Sequence, residues 1–179
     1  MATIYLVRHG EATAHWSEAL DAELSVLGHH QAAVAAQALA PRGPSTILSS
    51  PLRRALATAA PLEALWQTPA RVESAVAEIP TQGDSRAQRS AWLSGLAASG
   101  WSGADPASRQ WRQGVLEFVT RLDTSTVIFT HFVAINAVLG AAIERDEVYL
   151  FRPAHGSITV VESDGGRLRL VERGVEMMP

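Results

Sequence analysis

Cysteine and lysine are both absent from this 179-residue chain. Without thiols there are no disulfides, no thiolate metal sites and no cysteine nucleophile. Without lysine there is no Walker A phosphate lysine and no Schiff-base chemistry, and arginine makes up all 15 basic residues. A compositional bias toward alanine and arginine accounts for this without invoking function. No Asp-x-Asp pair occurs, which removes the usual aspartyl-phosphate arrangement. No basic stripe interleaves with aromatic residues, so nucleic acid is not an expected partner. No apolar run reaches membrane-spanning length and none has signal-peptide layout; no membrane association and a cytoplasmic location are expected. The first strand is not followed by a glycine-rich dinucleotide fingerprint. If the chain handles phosphate covalently, histidine is the remaining candidate.

What is present reads as one domain over residues 1–179, with net charge −3 and enough apolar residues to bury a substantial core. Thr3 to Val7 is a short β-branched and apolar run ending at Gly10, which predicts a buried strand. Ser25 to Ala40 predicts a helix with Ser25 as N-cap and Leu27, Val34, Ala38 and Leu39 at near-helical spacing. Thr46 to Ser49 is a second strand, followed by a helix from Pro51 that Pro61 is expected to kink or end. Arg71 to Ile79 predicts a third extended segment.

Residues 82–103 carry Trp92, Leu93, Leu96 and Trp101 among small residues, and are expected to form a small helical cap over the site. Either tryptophan could wall a substrate or staple the segment down. Asp105-Pro106 opens a helix with Trp111, Val115, Phe118 and Leu122 on one face. Thr126 to Thr130 is a central strand leading into His131 and a further helix. Ser157 to Val161 and Arg167 to Val171 flank a hairpin turn at Asp164-Gly165-Gly166. The alternation implies an α/β fold: a three-layer α/β/α sandwich with a mostly parallel central sheet and at least one antiparallel strand.

Side chains at the strand ends of a parallel sheet converge in one crevice. Arg8-His9 ends the first strand, Ser50 to Ala55 follows the second, Glu78 lies near the end of the third and His131 ends the fourth. Two arginines, two histidines and a carboxylate make a pocket suited to a dianion.

The motifs around these residues resemble those of the histidine phosphatase superfamily, the phosphoglycerate mutase-like proteins. Val7-Arg8-His9-Gly10-Glu11 looks like its signature, Leu24-Ser25-x-x-Gly28-x-x-Gln31-Ala32 its next motif, and Ser50-x-x-x-Arg54-Ala55-x-x-Thr58-Ala59 its third. Phe129-Thr130-His131 falls where that family carries its second histidine. The resemblance implies a metal-independent, cofactor-free phosphomonoester hydrolase with His9 as nucleophile, Glu78 as acid and His131 as a catalytic oxyanion ligand. It assigns Arg8 and Arg54 to substrate binding and adds the dipole at the N-terminus of the helix after His131; Gly10 and His15 are further candidates for substrate contact. The substrate would be a small-molecule phosphate ester or a phosphoprotein.

Three positions depart from the family pattern. His15 stands where an asparagine is usual, Phe132 where a glycine follows the second histidine, and Ile79-Pro80-Thr81-Gln82-Gly83 where a Gly-x-x-Glu-Gly-like run is common. Phosphoglycerate-mutase-type transfer and a non-catalytic phosphate-ester binding module, with Phe132 blocking access, are the alternatives. Glu11 is expected to cap a turn or pair with an arginine, Arg53, His29 and His30 to face solvent, and His155 either to line the pocket or to sit exposed.

Overall fold

Short β-branched and apolar runs favour strands that are covered on both faces. In the computed structural model, which describes residues 1–15 and 19–178, six strands form one sheet. They are β1 (Ala2–Arg8), β2 (Thr46–Ser49), β3 (Arg71–Val72), β4 (Thr126–Thr130), β5 (Ile158–Asp164) and β6 (Arg167–Glu172), in the order β3-β2-β4-β1-β5-β6. The pairs β3–β2, β2–β4 and β4–β1 are parallel, while β5 runs antiparallel to both β1 and β6.

Register fixes where the chemistry emerges. Arg8 pairs with Thr130 and Ser49 with Phe129. His9, Ser50 and His131 therefore leave the sheet side by side. His9 N donates to Thr130 O at 3.0 Å and Ser50 N to Phe129 O at 3.0 Å, which prolongs the ladder into the site.

The described residues form five α-helices, α1 (Val26–Leu39), α2 (Arg53–Trp66), α3 (Arg86–Ser99), α4 (Pro106–Thr120) and α5 (Phe132–Ala142), of which α1, α2, α4 and α5 pack on the sheet. Strand alternation sorts the two cores. Ile4, Leu6, Leu48 and Ile128 pack with Val115 and Val119 of α4 and Ile135, Val138 and Leu139 of α5. Val7, Ile47, Val127 and Phe129 point the other way, onto Ala35, Ala36 and Leu39 of α1 and Ala59, Leu62 and Trp66 of α2. The result is the expected three layers. Residues 82–103 hold α3, which starts at a capping box formed by Ser85 and Gln88. Leu96 of α3 joins Trp101, Ile79, Val133 and Ala137 in a third cluster beside the start of α5, with Trp92 and Leu93 packed on it. Trp101 is 2 % exposed and staples the segment down.

The inner face of α1 differs from the expected one. The inner face of α1 consists of Gly28, Ala32, Ala35, Ala36 and Leu39, whereas Leu27 and Val34 are 50 % and 55 % exposed and Ala38 is also exposed. A close backbone approach explains the choice. A Cβ on Gly28 would lie 2.1 Å from Glu11 O, and one on Gly10 2.4 Å from Gly28 O. Pro61 does not end α2, which runs on to Trp66 because Ala59 and Leu62 bury on either side of it. The third extended segment is a two-residue strand followed by a 3-10 turn at Ser74–Val76.

Gly28→Ala is expected to destabilise the protein by about 3 kcal/mol, the upper range for overpacking, because backbone must move. That corresponds to a Tm fall of about 6–12 °C by thermal melting. Gly114, in α4 with open space around its Cβ position, is the control. Gly114→Ala should stabilise by about 0.5–1 kcal/mol.

Candidate active site

His9 lies at the centre of the converging residues and is 8 % exposed. Its Nδ1 is 2.7 Å from Gly10 O, and a carbonyl can only accept, so Nδ1 carries the proton. The lone pair on Nε2 then accepts from Arg54 Nε at 3.1 Å. Burial, followed by the charge of Arg54, holds the His9 pKa well below its usual 6.5. The ring is thus a neutral imidazole whose unprotonated nitrogen faces a guanidinium.

Arg54 comes from the first turn of α2. Its Nη1 donates to Leu20 O at 2.9 Å, and Thr58 Oγ1 donates to Arg54 O at 2.6 Å while accepting from Gly10 N at 3.0 Å. The neighbouring Arg53 faces outward, as expected, and pairs with Glu23. The His131 ring lies 5.1 Å from the His9 ring, centroid to centroid, and is fully buried. Ser50 Oγ, at the head of the third motif but given no role from the sequence, meets His131 Nε2 at 2.7 Å. Burial is the main cause that depresses the His131 pKa, with His9 and the arginines adding to it. His131 Nδ1 and Arg8 Nε are buried without a hydrogen-bond partner among the described residues.

Arg8 has a pKa lowered to about 10, chiefly by burial and against the pull of Glu78. Its guanidinium lies 5.2 Å from the Phe132 ring centroid, a cation–π distance. Phe132 in turn meets Tyr149 edge-on, with centroids 5.1 Å apart. The Phe132 ring thus backs the Arg8 guanidinium.

Glu78 takes up the N-terminus of α5. Its Oε2 accepts from Val133 N at 3.1 Å and its Oε1 from Ala134 N at 3.3 Å and Ile79 N at 3.1 Å. Two of the N–H groups that open α5 are thus committed to a carboxylate. Burial raises the Glu78 pKa above its usual 4.5, outweighing the backbone hydrogen bonds and the charges of Arg54 and Arg8.

The structure therefore brings His9, His131, Arg8, Arg54 and Glu78 together. Gly10 adjoins them, but its N–H goes to Thr58 and its missing side chain answers the packing on Gly28. His15 is exposed in the loop after β1, where its carbonyl accepts from Ala19 N at 3.1 Å. His155, left open by the sequence, lies 5.8 Å from His9, and burial and Arg8 push its pKa down to about 4. Glu11 supports the entry to α1: its carboxylate accepts from Ser25 Oγ at 2.7 Å, and Ser25 Oγ caps Gly28 N at 3.0 Å. His29 and His30 are exposed on α1. A groove of about 910 Å³ lined by Trp101, Arg112, Asp146 and Leu168 opens near the C-terminal end of α5, whereas His131 caps the other end.

Residues 4–176 match the family model of the histidine phosphatase superfamily, branch 1. The chain belongs to that superfamily. Among solved structures, this superfamily member is similar to a mycobacterial hydrolase at 26 % identity over 98 % of this chain and 99 % of that one, with TM-score 0.75. It is similar to mycobacterial glucosyl-3-phosphoglycerate phosphatase in complex with VO3 at 27 % identity, over 96 % and 98 % of the two chains, with TM-score 0.74. A phosphoserine phosphatase of Entamoeba histolytica, in complex with 3-phosphoglyceric acid, shares the fold at 20 % identity over 98 % of each chain, with TM-score 0.78. No curated protein matches the chain. Among the described residues no helix is long and apolar enough to cross a membrane, and no acid, His or Cys cluster could hold a metal ion.

Proposed function

We propose that this histidine phosphatase-superfamily chain, read as one domain over residues 1–179, hydrolyses phosphomonoesters through a phosphohistidine on His9. The observation that carries the proposal is the fixed tautomer: Gly10 O holds the Nδ1 proton, and Nε2 offers its lone pair beside Arg54. In the first step His9 Nε2 attacks phosphorus, an N–P bond forms and the P–O bond to the leaving alkoxide breaks. Glu78 gives its proton to that oxygen, a role supported by the raised carboxyl pKa. In the second step water attacks phosphorus, the N–P bond breaks, Glu78 takes up the water proton and orthophosphate leaves.

Arg8 and Arg54 supply positive charge for the non-bridging oxygens. The buried Arg8 Nε and His131 Nδ1, both lacking protein partners among the described residues, fit a role as oxyanion donors. The oxyanion role requires the His131 proton on Nδ1, with Nε2 accepting from the Ser50 hydroxyl that lies 2.7 Å away. His15 is assigned to substrate contact, and Gly10 acts through its carbonyl, by orienting the nucleophile. The relative solved with VO3, a phosphate-like oxyanion, supports a pocket of this kind. The substrate is assigned to small-molecule phosphate esters, in line with that relative's name, with phosphoproteins as the other class.

The test is hydrolysis of an alkyl phosphate across pH 4 to 8. His9 must be neutral, and its pKa lies well below 6.5; kcat/KM should fall on the acid side only well under pH 6.5. Glu78 must be protonated, and its pKa lies above 4.5; the alkaline limb should begin above the ordinary glutamate range. An acid limb centred at pH 6.5 or higher contradicts the His9 assignment. Binding of orthophosphate with no turnover anywhere in the range would leave the non-catalytic binder instead.

A further inference from the structure

Residues 174–178 form a strap that takes hold of Arg8. Their path is fixed by the segment 152–154: Met177 N donates to Arg152 O at 2.8 Å, Ala154 N donates to Val175 O at 2.8 Å, and Pro153 and Glu176 form an antiparallel bridge. Arg152 N donates to Glu176 Oε1 at 3.1 Å, and Arg173 pairs with the same carboxylate at 3.3 Å. The strap begins at Gly174, whose N–H donates to Thr159 Oγ1 at 3.3 Å and whose Cβ position lies 3.0 Å from Ile158 O. Held this way, Met177 Sδ accepts from Arg8 Nη1 at 3.3 Å, and Pro153 O accepts from the same nitrogen at 2.6 Å.

The chemistry of these acceptors matters. Arg8 is anchored through one terminal nitrogen, backed by the Phe132 ring, and its buried Nε has no partner among the described residues. Both anchors are neutral, and a thioether is a weak acceptor. A carboxylate there would pair with the guanidinium and compete with a phosphate oxygen. The strap does carry a carboxylate, on Glu176, but directs it to Arg152 N and Arg173. The arrangement restrains the arginine without neutralising it, which favours preorganised anion binding.

We propose that Met177 is a positioning residue that sets Arg8 for phosphate binding, an inference that rests on the phosphatase reading above. Three variants test it: Met177→Ala, Met177→Leu and Met177→Gln, each assayed with an alkyl phosphate and with orthophosphate as inhibitor. Ala and Leu remove the acceptor, and both should raise KM and the orthophosphate Ki in parallel by about three- to tenfold, with kcat within about twofold. Gln offers an oxygen acceptor at similar reach and should restore both constants to within about twofold of the wild-type protein. Thermal melting should show an unchanged fold, since Met177 is only half-buried.

Wild-type constants in the Ala variant overturn the inference. Rescue by Leu also overturns it, because Met177 would then be acting as filler. If the unaltered protein neither binds orthophosphate nor hydrolyses the ester, the phosphatase reading falls and takes this inference with it. If it does both and the three variants match it, only the role of Met177 falls.

Discussion

His9→Ala is expected to lower kcat for every phosphomonoester tested by about 10⁵-fold. Alanine offers no atom to form the bond to phosphorus, and no other nucleophile among the described residues has a comparable setting. The remaining imidazole nearest the reacting position, His131, engages Ser50 through Nε2 and is fully buried. The fold should survive. His9 makes two hydrogen bonds, to Gly10 O and from Arg54 Nε, and their loss costs about 1–2 kcal/mol. A Tm fall of about 2–8 °C follows for a chain of this size. Orthophosphate should still bind, because Arg8, Arg54 and His131 remain. Steady-state kinetics and a thermal melt on the purified variant check both halves. Activity within a hundredfold of the unaltered protein would remove His9 from the nucleophile role.

Glu78→Gln carries the second large effect, and its size depends on the leaving group. With an alkyl phosphate the departing alkoxide needs a proton, and kcat should fall about 10²–10⁴-fold. With p-nitrophenyl phosphate the leaving group is stable as an anion, and the loss should be about tenfold or less. The comparison matters because Glu78 has another possible job: its two oxygens accept from Val133 and Ala134 at the start of α5. A residue that only caps the helix would affect both substrates equally. A uniform loss, accompanied by a lower Tm, would therefore assign Glu78 to structure and leave proton donation to another group. Tyr149, whose pKa burial and Glu78 push upward, is the hydroxyl to examine next.

The sheet was legible in the sequence because its strands are short, apolar and punctuated. Thr46 to Ser49 and Thr126 to Thr130 appear with the same bounds in the structure, and the Asp105-Pro106 start of α4 follows from capping chemistry alone. The convergence of His9, His131, Arg8 and Arg54 was legible for a topological reason: parallel strands deliver their ends to one edge. What the sequence concealed depends on contacts between distant segments. The inner face of α1 could not be read from hydrophobicity, since the passage of Gly10 and Glu11 beside Gly28 selects small residues there. Pro61 signals a helix end locally, yet packing on both sides carries α2 past it. The cap formed by Glu78 on α5 joins residues more than fifty positions apart, and the hold of Met177 on Arg8 spans nearly the whole chain. Neither leaves a periodic trace. Ser50 was visible within its motif, but its bond to His131 required coordinates.

Phosphorus is expected to pass to the Nε2 atom of His9 before it reaches water. Millisecond quenching with a phosphate ester labelled on phosphorus tests it directly, followed by peptide mapping of the trapped protein. A phosphohistidine at position 9, stable in alkali, labile in acid and absent from His9→Ala, is the expected result. Full turnover with no labelled protein at any time, or label residing on a serine or a carboxylate, would rule out the phosphohistidine route.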